Sequence, residues 1–253
     1  MPSCVESGLK AGFPVGYSKV MTSPAQPSPY GRGHRVLEIG SIAFVFGSLL
    51  WIACRVTIVA WDVPHALFGI GVAALVGYLV SDFLSGFVHW AGDTIGDETT
   101  PVFGPNFVQP FRYHHVDPED ITRHDFVETN GNNCIVAAPV LMGIVWFIPS
   151  EPTFFFYACV VVACTALFVF CTNQFHKWAH TKVPARWIRV LQRAGLILSP
   201  EHHAVHHASP QDKYYCITVG WMNPLLERIR FFRACEAAIG WIYPSALRTR
   251  RMG

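Results

Sequence analysis

The chain has 253 residues, of which 51% are apolar and only 14% charged, with a formal net charge of +2. That balance excludes a wholly disordered chain and an ordinary soluble domain, and the length and scattered cysteines exclude a small disulfide-stapled fold. No overall basic excess argues for nucleic acid. The pattern is that of a membrane protein, and its informative charges are local.

Residues 1–33 hold Pro24, Pro27 and Pro29 among Ser, Thr and Gln, with no apolar run long enough for a signal-peptide core, and read as a flexible tail. Glu6 is the only acid there, which also fits a cleaved transit peptide, although the prolines work against the amphipathic helix such a peptide needs.

Four apolar stretches follow, at about 36–61, 66–90, 134–149 and 152–175. A spanning helix needs roughly 20 residues at 1.5 Å each. Three are long enough. The third is short, so it is expected to thin the bilayer locally or to form a partial hairpin with the fourth through Pro149-Ser150-Glu151-Pro152. The fold class expected is an all-α, multi-pass membrane protein of about four transmembrane helices: a membrane domain over 34–240, capped by histidine-rich cytosolic helices, and a basic tail over 241–253.

Lysine and arginine are retained on the cytoplasmic side near span ends. The 61–65 and 150–151 connections contain none, whereas Arg32 and Arg35 precede the first span and Lys177, Lys182, Arg186, Arg189 and Arg193 follow the fourth. Both termini are therefore expected in the cytosol, together with 91–133 and everything after 175. Arg55 is the exception and can snorkel outward.

Ten of the twelve histidines fall between 89 and 207, in groups: His89; His114 and His115; His124; His176 and His180; and His202, His203, His206 and His207. All lie at or beyond the cytosolic ends of spans, so the topology gathers them at one membrane surface. Residues three or four apart share a helix face. His89 pairs with Asp93 in this way, His176 with His180, His202 with His206, and His203 with His207. Ser199 as N-cap and Pro200 at the first helical position start the last of these helices.

A lone interfacial histidine is usually an amphipathic ring suited to that boundary. Ten in groups are different. A tetrahedral zinc uses four ligands, so the surplus points to two metals, and imidazole with almost no cysteine favours a non-haem di-iron centre over zinc.

Asp82 is a carboxylate within a span, seven residues before His89 on the same face, and is read either as an acceptor for a ligating histidine's other N–H or as a hydrogen-bond partner of a neighbouring helix. Asn173 stands three and seven residues before His176 and His180 and is a weaker candidate of the same kind. Of the eight acids between the second and third spans, Asp93 and Asp125 lie close to histidines, Asp93 as a candidate ligand and Asp125 as an outer support. The small residues Gly69, Ala73, Gly77, Ser81 and Ser85 recur every four positions, a ridge for close helix packing.

The stretch from His89 to Cys134, with TNQFHKWAH and EHHAVHH, resembles the Kua lipid desaturase family over about 78–236. The Arg-x-His-His, ITRHDF, His-x-x-x-His and His-His-x-x-His-His motifs recur there in that order. Tyr113 departs from the pattern at a place where an acid is common. The resemblance implies a membrane enzyme with two Fe ions held by the ten histidines and Asp93, and O2 as co-substrate. The reaction it implies removes two hydrogens from the C1–C2 bond of an sn-1 alkyl ether chain, giving the vinyl ether of a plasmalogen from a plasmanylethanolamine-like phospholipid. A plastid branch acts instead near the carboxyl end of an acyl chain; the ITRHDFVETNGNNC wording is similar to the plasmalogen branch.

No haem, flavin or iron–sulfur signature is present, so an external electron donor such as cytochrome b5 or a ferredoxin is expected. From Lys177 to Arg251 there are twelve Lys and Arg against four acids, a surface for an acidic carrier or for anionic headgroups, with a basic amphipathic helix expected over Pro224–Ala238. The host membrane is read as bacterial inner membrane or endoplasmic reticulum. A di-iron hydroxylase shares the same metal chemistry. A metal transporter is the non-enzyme alternative, disfavoured because only Asp82 is intramembrane and transporters bind ions at the midplane on broken helices.

Overall fold

A computed structural model describes residues 31–101, 103–242 and 247. The expected N-terminal tail and most of the basic C-terminal tail lie outside the described residues, although Arg32 already opens the first helix. Four long helices, α1 (Arg32–Asp62), α2 (Ala66–Thr94), α5 (Phe126–Phe147) and α6 (Phe154–His180), are long and apolar enough to cross a membrane. Between α2 and α5 lie a π-helical turn (Gly104–Val108) and the short helices α3 (Gln109–His114) and α4 (Asp120–Arg123). After α6 come α7 (Arg186–Arg193), α8 (Pro200–His207), α9 (Asn223–Arg228) and α10 (Phe231–Ile242).

The third span is longer than its apolar run. Asp125 caps it, its Oδ1 accepting from the backbone N–H of Val127 and Glu128 at 2.9 and 3.0 Å, so the helix begins at Phe126 and reaches 22 residues. The polar first turns fit because Asn130 donates to the Phe126 carbonyl and Asn133 to the Val169 carbonyl of α6. No partial span results. The Arg35 guanidinium grips the same Asp125 carboxylate through both oxygens, at 3.0 and 2.7 Å, fastening α1 to the start of α5.

The small-residue ridge of α2 faces α6. A Cβ at Gly77 would stand 2.6 Å from the Val161 carbonyl oxygen and 2.7 Å from the Cys164 Cβ, and one at Gly69 would meet the Tyr157 ring. The two backbones approach this closely only because a side chain is missing, and their closeness brings the ends carrying His89 and His176 side by side.

The chain after α6 then folds back along α2. Residues 215–221 run antiparallel to it without regular secondary structure, in a register set by α2: His89 faces the Tyr215 carbonyl, Gly86 lies under Cys216, and the Ser85 hydroxyl accepts from Ile217 N at 3.0 Å. Deeper still, Asp82 accepts three backbone N–H bonds, from Val219 (2.9 Å), Gly220 (2.8 Å) and Met222 (3.0 Å), and the Tyr78 ring meets Trp221 edge to face. Asn223 closes the loop, accepting from Cys216 N and donating to the Cys216 carbonyl. Hydrogen bonds to a charged group are worth about 1.5–3 kcal/mol each, so Asp82 is a principal anchor of this segment. The expected single helix over Pro224–Ala238 is instead two, because Arg230 at φ 54° turns the chain between α9 and α10. Trp90 of α2 then donates to Glu236 and stacks on Phe232 of α10.

Candidate metal centre

Four chain segments deliver eight histidines and one aspartate to the same end of the bundle. They form two groups, in each of which one donor atom per residue lies within 4.8 Å of the others: His89, Asp93, His115 and His206; and His114, His176, His180, His203 and His207. The i, i+4 spacing works as expected on α2, α6 and α8, putting His89 with Asp93, His176 with His180 and His203 with His207 on common faces.

In the first group Asp93 is the hub. His115 Nε2 lies 3.1 and 3.0 Å from its two oxygens, His206 Nε2 3.4 Å from Oδ2, and His89 Nε2 3.6 Å from Oδ2. Ring orientation is set from behind. The Tyr215 carbonyl faces His89 Nδ1 at 3.2 Å and the Lys213 carbonyl faces His206 Nδ1 at 2.8 Å. A carbonyl can only accept, so each Nδ1 carries the proton and each Nε2 keeps its lone pair toward Asp93.

In the second group three Nε2 contacts link four rings: His176 to His203 at 2.8 Å, His176 to His180 at 3.2 Å, and His203 to His207 at 3.0 Å. His114 covers them, its centroid 4.5 Å from His176, 4.6 Å from His180 and 4.9 Å from His207. The groups adjoin, with the His89 ring 6.0 Å from His176.

Burial, then the neighbouring imidazoles, hold His114 and His203 far below the usual histidine range and bring His207 down to about 3. Neutral imidazole is the ligating form, and the buried Nε2 of His89, His114 and His206 have no hydrogen-bond partner. Burying unpaired polar nitrogens is costly unless something meets them. Cations at the two centres would do so, and the donor set, imidazole with one carboxylate and no thiolate, suits a transition metal.

Two expected ligands stand elsewhere. His124 caps the end of α4, half-buried, with Nε2 3.4 Å from Asp120 and 3.9 Å from Glu128, while Lys177 donates to its carbonyl. His202 stands one turn before His206 at the edge of the ligand-bearing face of α8, and its ring is engaged elsewhere: its Nε2 is 2.9 Å from Asn223 Nδ2 and its ring lies on Gly220, whose φ of 85° and lack of a Cβ make the room. The three expected supports have other partners. Asp82 holds backbone amides rather than a histidine, Asn173 donates to the Thr129 carbonyl at 3.0 Å, and Asp125 caps α5. The groups that face the Nδ1 atoms of His89 and His206 are the carbonyls of Tyr215 and Lys213, which no residue type announces. A usable signal was Asn223-Pro224, a helix-start pair whose buried Asn orders the segment bearing them.

The spans and the paired groups of donors define a multi-pass membrane protein with a candidate two-metal centre. The family model described as "Lipid desaturase domain" matches residues 78–249, and the chain belongs to that family; it is an oxidoreductase that desaturates lipid. It is 45% identical over 213 residues to plasmanylethanolamine desaturase of Myxococcus xanthus, covering 84% of this chain and 74% of that one. It is 40% identical over 218 residues to plasmanylethanolamine desaturase 1 of Mus musculus, covering 83% and 79%. Fatty acid desaturase 4, chloroplastic, of Arabidopsis thaliana is 33% identical over 193 residues, covering 74% and 57%. No solved structure matches the chain.

Proposed function

We propose that the protein is a di-iron plasmanylethanolamine desaturase. The observation that carries this reading is the convergence of eight histidines and Asp93 in two adjoining groups at one end of the spans, in a chain 45% and 40% identical to desaturases of that name. One iron would be held by His89, Asp93, His115 and His206, the other by His114, His176, His180, His203 and His207. Two bound irons supply O2-dependent oxidation of an unactivated C–H bond, for which protein acids and bases are too weak.

The chain's own residues do the rest. The carbonyls of Tyr215 and Lys213 hold His89 and His206 in one tautomer. The buried rings would keep water from the centre, and a centre at the ends of α2 and α6 suits a carbon one bond from the headgroup linkage. The C1–C2 bond loses two hydrogens and O2 becomes two waters; two protons come from solvent and two electrons from an external carrier of the cytochrome b5 or ferredoxin kind. The distribution of Lys and Arg supports a cytosolic site, in a bacterial inner membrane or endoplasmic reticulum.

The test is lipid analysis of a plasmalogen-free host expressing wild type or His203→Ala. Acid-labile vinyl ethers with the wild type alone support the proposal. A double bond near the carboxyl end of an acyl chain, or a hydroxylated chain, replaces it with the corresponding alternative, and unchanged lipids in cells containing folded, metal-loaded protein overturn it.

A further inference from the structure

Between α6 and the C-terminal helices the chain exposes apolar side chains that the metal centre does not use: Trp187 and Val190 of α7, then Leu196, Trp221 and Leu225, of which Leu196 is 47% and Trp221 45% exposed. Their depth can be read from the spans beside them. Tyr78 of α2 donates to the Leu196 carbonyl, meets Trp221 edge to face, and lies against Phe168 of α6 with ring centroids 4.4 Å apart. Tyr78 stands eleven residues before His89, about 16 Å along the helix axis, and Phe168 stands eight before His176, about 12 Å. Two spans thus agree that Leu196 and Trp221 lie well inward of the histidine layer. A crossing of roughly 20 residues from Ala66 ends near residue 86, which puts Tyr78 about 12 Å inside the hydrocarbon.

The path of the chain agrees. It runs from the end of α6 down α7 to Leu196, back up α8 to His207, down the irregular 213–221 segment to Trp221, and up again through α9 and α10, where Phe231 meets Phe83 and Phe232 meets Trp90. Non-helical backbone survives at membrane depth only where protein satisfies its polar groups. Here Ser85 takes the Ile217 N–H, Asp82 those of Val219, Gly220 and Met222, and the Thr218 carbonyl accepts from the Leu198 N–H. A fully buried carboxylate inside a span is expensive, and this is the use that retains it.

We propose that residues 185–225 form a re-entrant element immersed in the leaflet on the histidine side, its partner the lipid itself: hydrocarbon tails at Leu196, Trp221 and Leu225, and headgroups at the exposed Arg186 and Arg189 beside Trp187. Arg193, one turn deeper, is long enough to reach back to the headgroups. The ligand-bearing α8 is then framed by lipid-immersed turns, and a chain reaching the centre from that side stays within hydrocarbon. The element rests on the packing against α2 and α6, not on which metal is bound or which lipid is oxidised.

The full chain in proteoliposomes containing a phospholipid with a mid-tail diazirine tests this. After photolysis, mass spectrometry reads the labelled residues, with Leu75 of α2, 51% exposed, as the lipid-facing standard. Labelling of Leu196 and Trp221 to the extent of Leu75 is expected. Labelling of Leu75 without either, or labelling of the two only by a phospholipid carrying the diazirine on its headgroup, overturns the proposal.

Discussion

His206 and His207 are adjacent in the chain, yet their rings belong to different groups: His206 Nε2 faces Asp93 at 3.4 Å, while His207 Nε2 lies 3.0 Å from His203. His114 and His115 divide in the same way, the first over His176 and His180, the second on Asp93. Each doublet therefore ties the two candidate centres together through one peptide bond. The distance between two metals would be set by backbone rather than by flexible side chains.

This division predicts unequal effects of alanine at the two positions. His206→Ala removes one of four donors in a group where Asp93 is the only anion, whereas His207→Ala removes one of five. Metal content of the purified protein, measured by plasma mass spectrometry, is expected to fall by about one ion per chain for His206→Ala and by less for His207→Ala, with desaturation lost in the former. Equal losses in the two variants would reject the greater tolerance expected of the five-donor group.

Asp82 offers a sharper contrast between a supporting and a ligand-tuning role. Asp82→Asn keeps the shape but turns an amide N–H₂ toward backbone donors that now lack an acceptor. The expected cost is about 3 kcal/mol or more, seen as a lowered thermal midpoint in detergent. A carboxylate tuning a histidine would instead leave the midpoint in place and lower metal content alone.

Much of this was legible in the residues, and the exceptions have physical causes. Length and apolarity located all four spans, but Asn130, Asn132 and Asn133 disguised the start of α5, because composition does not reveal that a neighbouring helix satisfies an asparagine. Helical spacing gathered the histidines. It did not divide them, since which ring of a doublet faces which centre depends on how helices are rotated against one another. His202 sits one residue from a candidate ligand on a helix with four histidines within less than half its circumference, and only the packing of Gly220 and Asn223 decides that its ring is engaged elsewhere. The segment 213–221 was invisible because its partners are side chains of a helix, so it carries no alternation of its own.

The α2–α6 seam predicts a position-specific cost for one methyl group. Gly77→Ala places a Cβ against the Val161 carbonyl, forcing apart the helices that hold His89 and His176; about 1–3 kcal/mol of destabilisation is expected, with some loss of metal. Gly71→Ala, on the same helix, meets nothing within 4 Å and is expected to be neutral or slightly stabilising. Thermal midpoints of the two variants measured side by side in one detergent check this, and a similar drop in both would remove the seam argument.

The histidines outside the two groups give the last prediction. The His202 and His124 rings contact no ligand, one bonded toward Asn223 and the other among exposed carboxylates. His124→Ala is expected to keep full metal content and activity, since its ion pairs are exposed and worth well under about 1 kcal/mol. His202→Ala removes a ring packed on Gly220 and is expected to lower the thermal midpoint modestly while keeping its metal. His203→Ala, one residue along, takes away the nitrogen nearest to both His176 and His207, and should lose metal and activity together. The discriminating measurement is metal per chain in the three variants purified in parallel: depletion in His202→Ala matching that in His203→Ala would mean that the orientation of α8 is wrong, and with it the division into two centres.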